Sequence, residues 1–261
     1  MKAGFVQLDV SRSREENLRR IRRALEEDCP ELAVLPELCD GGYLYPDRSV
    51  LLASARTLED SPFVQGMLAL SREFACTLVF GAAEREDSRV YNTAVVASHG
   101  SLAGRYRKMH LSRLEQTLFD AGEAPAVVEA AGVKLGLGIC FDLWFPEFTR
   151  ELRRQGAELL CFPANFGGEA TARITPVRAM ENLTPLVLCN RVGEEHLPGI
   201  DAEFRGSSMV VSPEGEILCG GGLWCSSTGS AEVTPGQGNE SVMCRDFDRE
   251  IARHHSTGKE V

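Results

Sequence analysis

Three apolar runs in this sequence each hand over to a residue able to do chemistry. Leu32-Ala33-Val34-Leu35 leads through Pro36 to Glu37, the run from Leu102 leads through Arg105-Tyr106-Arg107 to Lys108, and Gly136-Leu137-Gly138-Ile139 leads to Cys140. A carboxylate just past a buried strand is partly desolvated, which raises its pKa and suits it to general-base work. A lysine and a thiol at two further strand ends complete a set that a layered α/β fold can gather, because ligand sites in such folds lie beyond the C-terminal ends of strands. Taken singly, each residue has an ordinary explanation: Glu37 as a cap or surface acid, Lys108 as a solvated charge, Cys140 as a small core residue. Spacing alone leaves both readings open.

The elements around these residues follow from periodicity. Gly4–Val10 alternates like a strand, and Ser13–Asp28 places Leu18, Ile21 and Leu25 three and four apart, as on one helix face. With Leu32–Leu35 as a doubly buried strand, the chain opens as a βαβ unit. Pro62–Phe74 reads as a helix with Ser61 as N-cap, followed by strands over Thr77–Ala83, Val90–Ser98 and Leu102–Tyr106. The pattern then recurs: strand Lys134–Cys140, helix Pro146–Gln155 closed by Gly156, strand Leu159–Phe162, helix Thr175–Leu183 and strand Pro185–Asn190. Arg205–Val211 and Glu216–Cys219 flank Pro213-Glu214-Gly215 as a hairpin, and Asp246–His254 is a closing helix. Two similar halves without a linker predict one α/β domain over residues 1–255, with 256–261 as a mobile tail.

Composition narrows the function. The 261 residues include 28 Lys and Arg against 38 Asp and Glu, a net charge of −10, which disfavours a nucleic-acid partner. No apolar run approaches the roughly 20 residues needed to span a bilayer, so no membrane partner is expected. Nine cysteines, an odd number, cannot all pair within the chain, and Met1–Val10 alternates where a secretory signal would be continuously apolar. Free thiols in a reducing, cytoplasmic compartment are therefore expected. The sequence has no C-x-x-C or H-x-x-x-H pair, so no metal site is expected either, and His254-His255 reads as part of a solvated tail. Arg178 and Glu181, three apart on a helix, should pair on one face.

Taken together, the segments resemble the nitrilase superfamily of carbon–nitrogen hydrolases. Leu35-Pro36-Glu37 with Gly42-Tyr43 resembles the family's first catalytic block, and Tyr106-Arg107-Lys108-Met109-His110-Leu111 its lysine block. Gly138-Ile139-Cys140-Phe141-Asp142-Leu143-Trp144-Phe145-Pro146-Glu147 is similar to its nucleophile block. Phe162-Pro163-Ala164-Asn165, Arg178-Ala179-Met180-Glu181-Asn182, Asn190-Arg191-Val192-Gly193 and Gly206-Ser207-Ser208 continue the likeness in the family's order.

The resemblance implies a four-layer α-β-β-α sandwich and no cofactor. It makes Cys140 the nucleophile, Glu37 the general base and Lys108 the stabiliser of a tetrahedral intermediate. Glu115, in Glu115-Gln116-Thr117-Leu118-Phe119-Asp120-Ala121-Gly122, fits the family's second glutamate better than Glu123 does. Tyr43, Phe141, Trp144 and Asn165 are the implied substrate contacts, and the Phe141 N–H joins Lys108 in holding an oxyanion. A nearby lysine should also lower the thiol's pKa. His110 beside the lysine invites a Cys–His dyad, but in this family that histidine is supporting. Nitrilases proper tend to carry Cys-Trp-Glu, so Cys140-Phe141-Asp142 points to amidases, with N-carbamoyl amine hydrolysis as the alternative. Trp144 stands where many relatives have arginine, which argues against carboxylate-bearing amides and for small neutral ones. A homodimer or larger homo-oligomer through Pro146–Gln155 is implied, with a short C-terminal arm. A catalytically silent binding or scaffold member would lack one of Glu, Lys or Cys, and none is missing.

Overall fold

The computed structural model describes residues 1–241 and 244–256. The chain opens with β1 (Lys2–Gln7), α1 (Arg14–Glu27) and β2 (Leu32–Val34). Ser13 caps α1, its hydroxyl accepting from the Glu16 N–H, which satisfies one of the free donors of the first turn. A short α2 (Arg48–Ser54), capped by Asp47, has no counterpart in the sequence reading, since two turns are too few to establish a period. In α3 (Pro62–Glu73), Ser61 and Pro62 take the cap and first-turn places expected of them. Next come β3 (Thr77–Glu86), β4 (Arg89–Ser98) and β5 (Ser101–Arg107). Antiparallel pairing carries β3 and β4 past their apolar centres, as far as Glu86 opposite Arg89.

The second half adds β6 (Ala126–Ala130), which the sequence reading lacks, and β7 (Val133–Leu137). They form a hairpin around Ala131 and Gly132, both at positive φ, as a tight two-residue turn requires. The strand expected to reach Cys140 stops at Leu137, and Cys140–Trp144 is a 3-10 turn. Then follow α4 (Pro146–Arg154), β8 (Leu159–Ala164), α5 (Ala170–Asn182) and β9 (Leu186–Asn190). Helix α5 begins five residues before the expected Thr175 and holds Pro176 within it. A further hairpin, β10 (Val192–Leu197) with β11 (Ile200–Arg205), was not expected from the sequence. The expected strand Arg205–Val211 is split: Arg205 ends β11, Gly206 and Ser207 adopt positive φ, and β12 (Met209–Val211) starts afresh. Then β13 (Ile217–Gly220), β14 (Ser227–Glu232) and α6 (Phe247–Ser256) close the fold. The tail expected over 256–261 lies outside the described residues apart from Ser256, and so do the side chains of His254 and His255.

The strands form two six-stranded sheets, ordered β14-β1-β2-β3-β4-β5 and β13-β12-β9-β8-β7-β6. In each sheet three central strands run parallel and antiparallel strands flank them. Alternation sends Phe5, Leu32, Val34 and Val79 into the core between the sheets, against Leu135, Leu137, Cys161 and Val187. The opposite faces of β1, β2 and β3, through Val6, Leu8, Ala33, Leu35 and Leu78, pack on Ile21 and Leu25 of α1 and on Phe63 and Met67 of α3. Helices α4 and α5 cover the second sheet through Phe148, Leu152 and Ala179. The layers are therefore α-β-β-α, and β2 reads as unbroken apolar sequence because both its faces are covered. Among the described residues no helix is long and apolar enough to cross a membrane. Arg178 and Glu181 pair at 3.1 Å, as expected.

Candidate active site

Glu37 is aimed by a backbone detour that a glycine permits. Beyond β2 the chain keeps following β3: Leu35 N–H donates to Val79 O, Gly81 N–H to Pro36 O, and Cys39 N–H to Gly81 O. Leu38 then turns the chain at φ 47°. A methyl group at Gly81 would meet the Leu38 nitrogen and lie 2.5 Å from the Glu37 Cα, so only glycine lets the two segments touch.

Lys108 follows β5, and its N–H donates to Asn92 O of β4 at 2.8 Å. Its side chain runs inward and is 1% exposed. The ammonium donates to Glu37 Oε1 at 2.6 Å and to both oxygens of Glu115 at 2.7 and 2.8 Å. Glu115 sits in a 3-10 turn, where Ser112 N–H donates to its Oε2 at 2.8 Å. Asn92 Nδ2 donates to both carboxylates, at 2.7 and 2.8 Å. The second oxygen of Glu37 is buried and has no hydrogen-bond partner, leaving it free to take a proton.

Cys140 occupies the first position of the 3-10 turn at φ 45°, an uncommon conformation for a residue with a side chain. Gly138 makes room just before it, since a Cβ there would overlap the Phe162 ring. The thiol donates to Asn165 O, 3.8 Å away at the end of β8. All nine cysteines are free, and Cys161 and Cys189 are wholly buried, as core residues would be.

The electrostatics follow from burying two carboxylates and one ammonium together. Burial pushes Glu37 up to about 7; Lys108 opposes this and Glu115 adds to it. Burial works against the Lys108 charge, but Glu115 and Glu37 outweigh it and hold the ammonium well above an ordinary lysine. Glu115 lies below its ordinary value because its bonds to Lys108 and Ser112 overcome burial. The Cys140 thiol departs from expectation. A nearby Lys108 should lower it, yet burial and the Glu37 charge raise it well above an ordinary cysteine, with Lys108 only partly offsetting them. Such a thiol stays protonated at neutral pH and could act as a nucleophile only with a base to take its proton.

Of the expected substrate contacts, Phe141 and Trp144 lie on the Cys140 turn. Phe141 is edge-on to Phe145 at 5.2 Å and tilted toward Trp144 at 6.0 Å. Trp144 is 47% exposed, and its indole N–H donates to Thr171 Oγ1 at 3.1 Å. The Tyr43 hydroxyl meets Ser112 Oγ at 3.0 Å. Asn165 is buried, with neither side-chain nitrogen nor oxygen partnered. Glu115 joins Lys108, whereas Glu123 is exposed. His110 directs Nδ1 at Asp142, 2.7 Å away, and stacks on Phe145, a supporting place.

Three contributors escaped the sequence reading. Asn92 bridges the carboxylates; its only signal was a polar residue inside an apolar strand. Asp142, in sequence only one member of the block around Cys140, is fully buried and accepts four hydrogen bonds. Glu195 of β10 accepts the Tyr43 and Leu44 N–H groups, both at 2.8 Å, and pairs with Arg12 and Arg191, pinning the Tyr43 loop.

The family model for carbon–nitrogen hydrolases matches residues 2–240. A nitrilase of Pyrococcus abyssi is 33% identical over 226 residues, 84% of each chain. An N-carbamoylputrescine amidase of Arabidopsis thaliana is 28% identical over 76% of this chain and 74% of its own. A mutant of the amidase from Nesterenkonia sp. AN1, whose structure shows the result of Michael addition of acrylamide at the active site cysteine, superposes with a TM-score of 0.80. It is 25% identical, covering 98% of this chain and 99% of its own.

Proposed function

The chain belongs to the carbon–nitrogen hydrolase family, and from that premise we propose that it cleaves a non-peptide C–N bond of a small amide through a thioester on Cys140. The observation that carries this reading is the buried ammonium of Lys108 held between Glu37 and Glu115, beside a thiol on a strained turn. An amide is a poor electrophile with a poor leaving group, so a covalent intermediate divides one hard step into two. Sγ bonds to the carbonyl carbon as its proton passes to Glu37. The oxygen, now negative, is held by Lys108 Nζ and the Phe141 N–H. Glu37 returns the proton to the nitrogen as the C–N bond breaks and ammonia or an amine leaves. Water then adds to the thioester, giving its proton to Glu37; as the C–S bond breaks, Glu37 passes that proton to the departing sulfur, which restores the thiol and frees the carboxylic acid. A base near pH 7 suits this alternation of giving and taking.

The aromatic residues Phe141, Trp144 and Tyr43 support a small neutral substrate, since none of the three carries a positive charge to offset a carboxylate. N-carbamoyl amines are the second reading. The buried Asn165 amide, with a free donor and a free acceptor, matches the NH2 and carbonyl of a ureido group. Ammonia release from a panel of small aliphatic amides and N-carbamoyl amines separates the two. Cys140→Ala should abolish turnover of either class with the circular dichroism spectrum unchanged, and surviving turnover would remove Cys140 from the role of nucleophile.

A soluble cytoplasmic homo-oligomer completes the reading. Exposed Val177 and Met180 of α5 and Ile217 and Leu218 of β13 favour a contact there over the outward face of α4, where Glu147 and Arg154 are charged. Met180→Asp should then shift the species seen by light scattering toward monomer.

A further inference from the structure

One buried carboxylate touches both of the segments that carry the lysine and the thiol. Asp142 Oδ2 accepts from Ile139 N–H at 2.8 Å, while Asp142 N–H donates to Ile139 O at 3.0 Å. This closed ring spans Cys140, the residue at positive φ. On the lysine side, Oδ2 accepts from the Tyr106 hydroxyl at 2.9 Å, and that hydroxyl accepts from Met109 N–H at 2.9 Å. Oδ1 accepts from His110 N–H at 3.1 Å and from His110 Nδ1 at 2.7 Å. Tyr106 and His110 stand two residues either side of Lys108, so the carboxylate holds both flanks of the lysine, through the Tyr106 hydroxyl on one side and the His110 N–H and ring on the other.

Four donors converge on two oxygens in a dry site, and an aspartate in its charged, acceptor-only form can satisfy all four. An amide in its place keeps the shape but turns an NH2 toward two of those donors. The site therefore specifies a carboxylate, and nothing in the proton transfers above uses it. Asp142 has no bond to Lys108 Nζ or to Cys140 Sγ among the hydrogen bonds of the described residues, so any effect on chemistry must act through position.

We propose that Asp142 is the positioning residue that fixes the Cys140 thiol relative to the Lys108 ammonium, by holding the nucleophile turn and the lysine segment to one carboxylate. The turnover part of this rests on the amide-hydrolase reading; the effect on thiol reactivity does not. A displacement of about 1 Å between reacting groups typically costs about 100-fold in rate.

The test uses the full-length protein and two variants, Asp142→Asn and Tyr106→Phe. It measures kcat and KM on propionamide or on whichever amide of the panel the wild type hydrolyses. The rate of Cys140 alkylation by iodoacetamide is followed peptide by peptide by mass spectrometry. Asp142→Asn should lower kcat about 100-fold with KM within about threefold, and slow Cys140 alkylation while the other cysteines react unchanged. Tyr106→Phe, which removes one of the four donors and keeps the ring packed on Phe148, should lower kcat roughly fivefold to tenfold with KM unchanged. The proposal is overturned if folded Asp142→Asn keeps wild-type kcat and alkylation rate, or if its loss is entirely in KM. If Asp142→Asn does not fold, an unchanged kcat in Tyr106→Phe overturns it. A wild type that hydrolyses no amide would count against the reaction alone. Alkylation of Cys140 would then decide: slowing in Asp142→Asn, or in Tyr106→Phe if only that variant folds, upholds the positioning role, and an unchanged rate removes it.

Discussion

Replacing Glu37 by glutamine isolates the energetic cost of keeping an ionised base in a dry site. The carboxyl is fully buried, and its Oε1 accepts from Lys108 and Asn92 while Oε2 has no partner. Burial raises it from 4.5 to about 7. The folded protein thus retains a proton that the unfolded chain releases between those values. Stability therefore falls as pH rises from 4.5 to about 7, and the full cost is present above that window. The rise corresponds to about 3 kcal/mol at 1.36 kcal/mol per unit. Glutamine does not ionise, so the variant escapes this cost, but its NH2 group takes the place of Oε2 without an acceptor, which opposes the gain by about 1 kcal/mol. At about pH 8 Glu37→Gln should be more stable than the wild type by about 2 kcal/mol, equivalent to roughly 4–8 °C in Tm for a chain of this size. Near pH 4.5 the advantage should be lost and the variant should be up to about 1 kcal/mol less stable than the wild type, and turnover should be lost at every pH. Thermal unfolding of both proteins across this range measures the difference. A variant less stable at pH 8, or stabilised equally at both ends, would show that the buried base carries no such cost.

The same carboxyl should set the acid limb of activity: kcat/KM is expected to fall below about pH 7 as Glu37 takes up a proton, and a limb near 4.5 would mean an unperturbed base. Lys108→Met should lower kcat by about 10²–10³ through loss of an oxyanion donor, read by steady-state kinetics. Gly81→Ala would force β3 away from Glu37 and Leu38, so both Tm and kcat should drop; an active, stable variant would show that the close approach is dispensable. Trp144→Arg should gain activity on succinamate and lose it on neutral amides, as measured by kcat/KM on each substrate.

Much of this could be read along the chain because the relevant physics is local. Leu32–Leu35 is apolar without interruption because both faces are covered, and Glu37 and Cys140 each stand three residues past the end of a strand. The caps at Ser13 and Ser61 and the Pro62 start are settled within one helical turn, and they appeared where expected. The hairpin β10–β11 escaped because it forms a two-stranded sheet, tied to the chain near β1 by one bridge from Val192 to Asp9, and buries little beyond Val192, Glu195 and Phe204, so it shows no period. The Pro198-Gly199 turn, with Gly199 at φ 82°, was its one local signal.

The residue types that stand at the strand ends are written in the chain itself, and its ordered blocks carried the family. Their charges and partners arise only when the sheets pack. Asn92 reaches both carboxylates because the pairing of β4 with β5 continues to set it beside Lys108, and Asp142 joins Tyr106 to Ile139 across the two sheets. The thiol's direction was likewise beyond sequence. A lysine nearby argues for lowering it, but burial and the Glu37 charge prevail once the solvent is removed. Spacing along a chain records which groups are available, whereas a buried charge depends on everything packed around it, and that is a property of the fold.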